Sequence, residues 1–194
     1  MRNPLLSFLG LSALVLSPIT AYAGMTQVEQ ITGRYVLSAD GGGSHTSSTY
    51  KMTINKPSAS AKVHKVYATV AGIPGRTPSA TVMTVNKINL NLGTLSRAGS
   101  SSMYARHGDV TSKLSTWLDG LGKGAHTFDV SEAGSAGYMD GTGLVVIWND
   151  PTADVSTVTL TLGADDIATG ATVNIGTSSI NKSAPGFGIK SGVG

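Results

Sequence analysis

Apolar and polar residues alternate with a period of two along most of the chain, and Gly, Pro, Asn or Asp interrupt the alternation at short intervals. This pattern is typical of short strands with one buried and one solvated face. The outward positions are often Thr, whose stiff side chain suits a pleated, half-solvated surface. We therefore expect antiparallel sheets. The clearest alternating runs are Tyr50 to Ile54, Val66 to Val70, Ile88 to Leu92, Val158 to Leu162 and Ala171 to Ile175.

One run, Gly143 to Trp148, is apolar on both faces. A continuous apolar run of this length predicts a central strand that is covered on both sides. The turn-forming sequence Asn149-Asp150-Pro151 should end it, because proline has no amide to give to a sheet. His126, Phe128 and Val130 alternate just upstream, which predicts a strand paired with this central one.

A single stretch has helical spacing. Val110, Leu114, Trp117 and Leu118 share one helical face, Asp109 can cap the first amides, and Asp119-Gly120 can end the helix. A helix this short is marginal alone, so we expect it to dock on the sheets with Trp117 as its main contact.

These elements predict an all-β fold, a single antiparallel β-sandwich of immunoglobulin-like or jelly-roll type with one short helix. We divide the chain into a signal peptide (1–23), a flexible N-terminal segment (24–48), the sandwich domain (49–180) and a flexible C-terminal tail (181–194). The two flexible segments are rich in Gly and Ser.

The first residues are ordered like a secretory signal. Arg2 precedes an apolar core from Leu5 to Leu16, and Ala21-Tyr22-Ala23 supplies the small residues that a signal peptidase needs. We expect cleavage after Ala23 and a secreted, extracellular or cell-surface protein. No second apolar run approaches the length of a membrane span, so we expect none in the mature chain.

Composition narrows the function classes. Only 13% of the 194 residues are charged, whereas 23 are Ser and 22 are Thr, and there is no Cys. The absence of Cys excludes disulfides, thiol catalysis and Cys-based zinc sites. The cations are scattered singly, and loss of residues 1–23 leaves a nearly neutral chain, so we do not expect nucleic-acid binding.

Candidate chemistry is sparse. The sequence has no H-E-x-x-H, no G-x-S-x-G and no phosphate-loop motif, so we expect a protein that is not an enzyme and has no catalytic residues. Acidic residues in the later loops suit a weak extracellular calcium site, and Ca²⁺ is the one cofactor they suggest. The alternative is that each one caps a turn. These candidate metal ligands are Asp140, Asp150, Asp154, Asp165 and Asp166.

Three stretches together carry a family resemblance: Asp109-Val110-Thr111, the run from Asp140 to Pro151, and Gly163 to Asp166. They resemble a sandwich module of secreted bacterial surface proteins, which pairs a D-V-T helix start with a G-x-x-L-V-V-x-Y-x-D-P core strand. Trp148 stands where that family usually has Tyr. The resemblance covers about 110 residues and implies export and surface display without established catalytic residues. No Pro-Glu-Pro sorting motif follows, so the mode of attachment stays open.

Our leading hypothesis is a secreted, non-catalytic bacterial envelope or matrix protein with a structural or adhesive role. Its partners would be surface glycans, other envelope proteins or further copies of itself. One alternative is a Ca²⁺-assisted carbohydrate-binding module that uses the late acidic loops. Another is an extracellular filament subunit whose segment from Gly24 to about Ser48 adds as a strand to the open edge of a neighbour.

Overall fold

The computed structural model describes residues 25–43, 49–72, 83–97, 104–132 and 139–164. These residues form eleven strands and one helix, and every strand pairing is antiparallel, which confirms the all-β prediction. The elements are β1 (Met25–Gly33), β2 (Tyr35–Gly42), β3 (Thr49–Lys56), β4 (Lys62–Gly72), β5 (Met83–Val85), β6 (Ile88–Leu90), β7 (Thr94–Arg97), β8 (Tyr104–Asp109), α1 (Thr111–Asp119), β9 (Gly124–Glu132), β10 (Met139–Asn149) and β11 (Ser156–Gly163).

The strands form three sheets. A five-stranded sheet has the order β2-β10-β4-β8-β7, a four-stranded sheet has the order β3-β9-β5-β6, and β1 pairs with β11 in a two-stranded ribbon. The two larger sheets face each other across the main core, to which Met52 and Val130 contribute from one sheet and Leu144 and Val146 from the other.

The ribbon of β1 and β11 adds a third layer. It packs on the outer face of the five-stranded sheet, where Val158 joins Tyr67 and Ile147 in a second apolar cluster. The alternation of β11 therefore buries its apolar side against a sheet and turns Thr159 and Thr161 to solvent, as the sequence predicts.

The central strand is β10, and it is buried on both faces as predicted. Leu144, Val146 and Trp148 lie in the main core, whereas Val145 and Ile147 face the second cluster. Trp148 is fully buried. The strand ends at Asn149, directly before Asp150-Pro151.

The helix ends where the sequence predicts and begins one residue later than predicted, at Thr111 rather than Val110. The Thr111 amide donates to Oδ1 of Asp109 at 2.9 Å, and the helix closes at Asp119. Its main anchors, however, are Leu114 and Leu118, which are fully buried. The prediction for Trp117 was wrong: it lies at the flank of the buried face, half-buried and edge-on to the Phe128 ring. One helical turn separates Leu114 from Leu118, so together they occupy the centre of that face.

A buried lysine joins the helix to β3. Lys56 is 1% exposed, and its ammonium donates to the carbonyl oxygens of Asp119 at 2.8 Å and Leu121 at 2.9 Å. The ammonium also lies 5.6 Å from the centre of the Trp148 ring. Carbonyls at the end of a helix have no partner within it, and a cation is a favourable one.

Two other predictions were wrong. Residues 25–42 of the segment expected to be flexible form β1 and β2, whose partners β11 and β10 come more than a hundred residues later in the chain. Strand β9 pairs with β3 and β5 rather than with β10, because Phe128 and Val130 face the five-stranded sheet across the core. The predictions for 1–23, for Ala171 to Ile175 and for 181–194 lie outside the described residues.

Candidate functional site

The solvent-facing side of the four-stranded sheet carries a row of small polar side chains, which we call the polar platform. Thr49 on β3 lies opposite Ser131 on β9, Ser131 lies opposite Thr84 on β5, and Thr84 lies opposite Asn89 on β6. Neighbouring strands are about 4.8 Å apart, so the four side chains form a straight line across the sheet. The Thr84 hydroxyl donates to Oδ1 of Asn89 at 2.9 Å.

Charged groups lie next to this row. Lys51 and Asp129 face each other on β3 and β9, and their ammonium and carboxylate are 2.8 Å apart. The hydrogen bond from Lys51, and then its charge, hold the pKa of Asp129 below the ordinary value of 3.8, with a smaller contribution from Lys87. Two residues further along each strand, the Thr53 and Thr127 hydroxyls are hydrogen-bonded at 2.8 Å.

A shallow depression of about 410 Å³ opens on the platform. The tight turn at Asn86 and Lys87 forms one side of it, and both residues have positive φ, 46° and 65°. The Asn86 amide donates to the Asp129 carbonyl at 3.0 Å, which fixes this turn against β9. The depression is lined by Thr49, Thr84, Lys87, Asp129, Val130 and Ser131.

The chemistry of the depression is that of hydrogen bonding. Its lining offers hydroxyls that donate and accept, an ammonium that donates and a carboxylate that accepts. These groups match a ligand rich in hydroxyls, such as a sugar. The lining therefore offers both donors and acceptors to a polar ligand.

Of the acidic residues proposed as calcium ligands, Asp150 has a structural role. It is 3% exposed, and its Oδ1 accepts hydrogen bonds from the Ser58 hydroxyl at 2.8 Å, the Thr152 amide at 3.0 Å and the Thr152 hydroxyl at 2.8 Å. Burial alone would raise the pKa of Asp150, but these hydrogen bonds outweigh it and the pKa lies below 3.8. The carboxylate caps the turn that ends β10.

Of the other candidate ligands, only Asp140 and Asp154 lie in the described ranges. Asp154 is exposed after the same turn, Asp140 lies on β10, and Asp165 and Asp166 are outside the described residues. Within the described ranges no three His, Cys, Asp or Glu side chains lie close enough to hold a metal ion.

A second polar cluster lies beneath the ribbon, and sequence reasoning missed it. The Tyr67 hydroxyl on β4 donates to the Val28 carbonyl at 3.1 Å and to Oε2 of Glu29 at 3.2 Å. Burial, reinforced by the charge of Glu29, raises the pKa of Tyr67 to about 12. Nearby, Lys65 pairs with Asp109 at 2.7 Å. Pattern analysis cannot show this cluster, because its members lie on three distant strands.

His107 belongs to the same outer face. It lies opposite Thr69 on β4 and Thr94 on β7, is 4% exposed, and its Nδ1 has no hydrogen-bond partner among the described residues. Burial lowers the pKa of His107 below 6.5, because an apolar environment disfavours the charged ring. Within this cluster, the two hydrogen bonds of Tyr67 join the five-stranded sheet to the ribbon.

In the part of the chain that the structure describes, no helix is long and apolar enough to cross a membrane. Comparisons of the chain with protein-family models, with curated proteins and with solved structures found no match.

Proposed function

We propose that this chain is a secreted, non-catalytic envelope or matrix protein of bacteria with a structural or adhesive role, and that its polar platform contacts surface glycans. The observation that carries the proposal is the cross-strand row of Thr49, Ser131, Thr84 and Asn89 beside the Lys51–Asp129 pair. This row presents hydrogen-bonding groups on a rigid, solvent-facing sheet.

Rigidity matters for a ligand of this kind. Each sugar hydroxyl must leave water to reach the protein, so a single hydrogen bond contributes only about 0.5–1.5 kcal/mol. Several must act together, and they do so at the least entropic cost when the sheet already holds them in line. The signal-like order of residues 1–23 and the low charge of the chain also support an extracellular role.

The test is a glycan array probed with the purified chain and with two variants. We expect the wild type to bind a subset of hydroxyl-rich or acidic glycans. The double variant Thr84→Ala/Ser131→Ala removes two hydroxyls of the row, so its affinity should fall about fivefold to a hundredfold.

The matched control is Thr26→Ala, which removes an exposed hydroxyl from the ribbon on the opposite side of the molecule. It should bind like the wild type. An array without any bound glycan, or equal loss in both variants, would refute the adhesive role of the platform.

The two alternatives from the sequence have weaker support. For the calcium-assisted module, one of the five candidate ligands, Asp150, already accepts three hydrogen bonds from the protein at Oδ1. The filament model in which the N-terminal segment is donated to a neighbour would require β1 and β2 to leave the partners with which they pair in their own chain.

A further inference from the structure

The edge strands of the three sheets differ in how they are protected against pairing with a further strand. A strand at a sheet edge presents unpaired amides and carbonyls, and folded proteins usually cover, shorten, bend or charge such strands. The described sheets have six edge strands: β2 and β7, β3 and β6, and β1 and β11.

Two of these edges close each other. Oδ2 of Asp40 on β2 accepts a hydrogen bond from the Thr53 amide of β3 at 2.6 Å, and the Ser38 hydroxyl accepts one from the Asn55 amide at 2.9 Å. Side chains of one sheet thus satisfy amides at the edge of the other. These two hydrogen bonds leave few backbone amides at the edge of β3 available to a further strand.

Three more edges are protected in other ways. Strand β6 has three residues and β7 has four, too few to hold a partner strand well. Strand β1 has an irregular register between Gln27 and Glu29, and it carries a carboxylate at Glu29. A bulge and a charge both disfavour the addition of a strand.

Strand β11 has none of these protections. It is eight residues long, its pairing with β1 is regular from Ser156 to Leu160, and it contains neither a charged residue nor a proline. Its exposed side is a row of threonines, and its β-branched and apolar content is high. Within the described ranges no strand pairs with its outer edge.

We propose that β11 is a self-assembly site, at which the outer edge of β11 pairs antiparallel with β11 of a second copy of this chain. A two-fold axis pairs a strand with itself in antiparallel sense. Two uncharged strands bring no like charges together, so this edge is complementary to its own copy. The product is a continuous four-stranded sheet of order β1-β11-β11-β1 across two molecules.

The site is separate from the polar platform. The ribbon covers the outer face of the five-stranded sheet, and the platform is the outer face of the four-stranded sheet. Dimerisation and glycan binding can therefore succeed or fail independently.

The test is sedimentation velocity of the purified full chain over a wide concentration range. The wild type should dimerise reversibly. The double variant Thr159→Lys/Thr161→Lys places four like charges side by side at the new junction, because both threonines are exposed and point away from the sheet. Its dimerisation should be at least about tenfold weaker.

The matched control is Gln30→Lys/Thr32→Lys, which adds the same charge to exposed positions on β1, the other strand of the ribbon. It should dimerise more tightly than the β11 variant. Thermal unfolding of each variant checks that it is folded, and Thr157→Lys supplies a second β11 variant if the first is not.

Hydrogen exchange gives the second readout. The backbone amides of β11 should become more protected as the protein concentration rises. A monomer at all concentrations would overturn the proposal, including one whose β11 amides are fully protected because another part of the same chain covers this edge. Equal weakening by the β11 and β1 variants would overturn it as well.

Discussion

At the scale of single residues, a side chain is explained by the groups it contacts. Asp150 has the chemistry of a calcium ligand and follows a core strand, but its partners are Ser58 and Thr152. The carboxylate accepts two hydrogen bonds from its own turn and one from Ser58, and these bonds stabilise the turn without a cation. The two roles considered for Asp150, turn cap and calcium ligand, predict different effects of Ca²⁺ on stability.

We predict that Asp150→Ala lowers the free energy of unfolding by about 1–3 kcal/mol, because the turn amide of Thr152 and the Ser58 hydroxyl lose a buried acceptor. Asp150→Asn keeps one acceptor oxygen and should lose less. Urea denaturation with Ca²⁺ and with a chelator measures both effects. If Ca²⁺ raises the stability of the wild type but not of Asp150→Ala, the residue binds the ion and our assignment is wrong.

At the scale of elements, one buried charged side chain, Lys56, holds the C-terminal end of α1. Lys56→Met keeps an unbranched side chain that is one atom shorter but leaves the carbonyls of Asp119 and Leu121 without their donor. We expect the free energy of unfolding to fall by about 1–3 kcal/mol. Exchange of the amides in the last turn of α1 should also accelerate.

Lys51→Met is the control for this prediction, since it removes an exposed lysine of the same sheet and should change stability little. A Lys56→Met protein as stable as the wild type would show that water satisfies the two carbonyls. The hydrophobic side chain would then compensate for the lost cation.

Elements with a strong local pattern could be predicted from the sequence, and those defined by distant partners could not. The continuous apolar run identified β10, and helical spacing gave α1 its bounds. By contrast, β1 has an irregular alternation because of its bulge near Val28, and its partner β11 lies more than a hundred residues away. The sequence therefore predicted a flexible segment at 24–48.

The polar platform was equally hidden in the sequence. Thr49, Thr84 and Ser131 are unremarkable in a chain with 45 Ser and Thr residues, and they become a row only when the strand register is known. The late acidic residues were predicted to be calcium ligands partly because carboxylates are rare in this chain. Rarity alone does not make a residue a ligand.

At the scale of the whole molecule, the pH dependence of stability reports on the layer between the ribbon and the five-stranded sheet. His107 titrates near 6.5 when unfolded and at a lower pH when folded. As the pH falls below about 6.5, the unfolded chain takes up a proton that the folded protein does not, so stability decreases. This decrease ends once the pH has passed the folded pKa.

A second decrease follows at more acidic pH. Asp109 and Asp150 have folded pKa values below 3.8, so the stability they contribute is fully present above that pH and is lost as the pH falls through their folded values. Thermal unfolding from pH 8 to pH 2 should therefore show two separate declines.

The variant His107→Gln separates the two declines, because glutamine is polar, of similar size and does not titrate. It should abolish the decline below pH 6.5 and leave the acidic one in place. If the first decline persists in His107→Gln, the junction between ribbon and sheet is not its origin, and another group that titrates in this range must face a different environment in the folded chain.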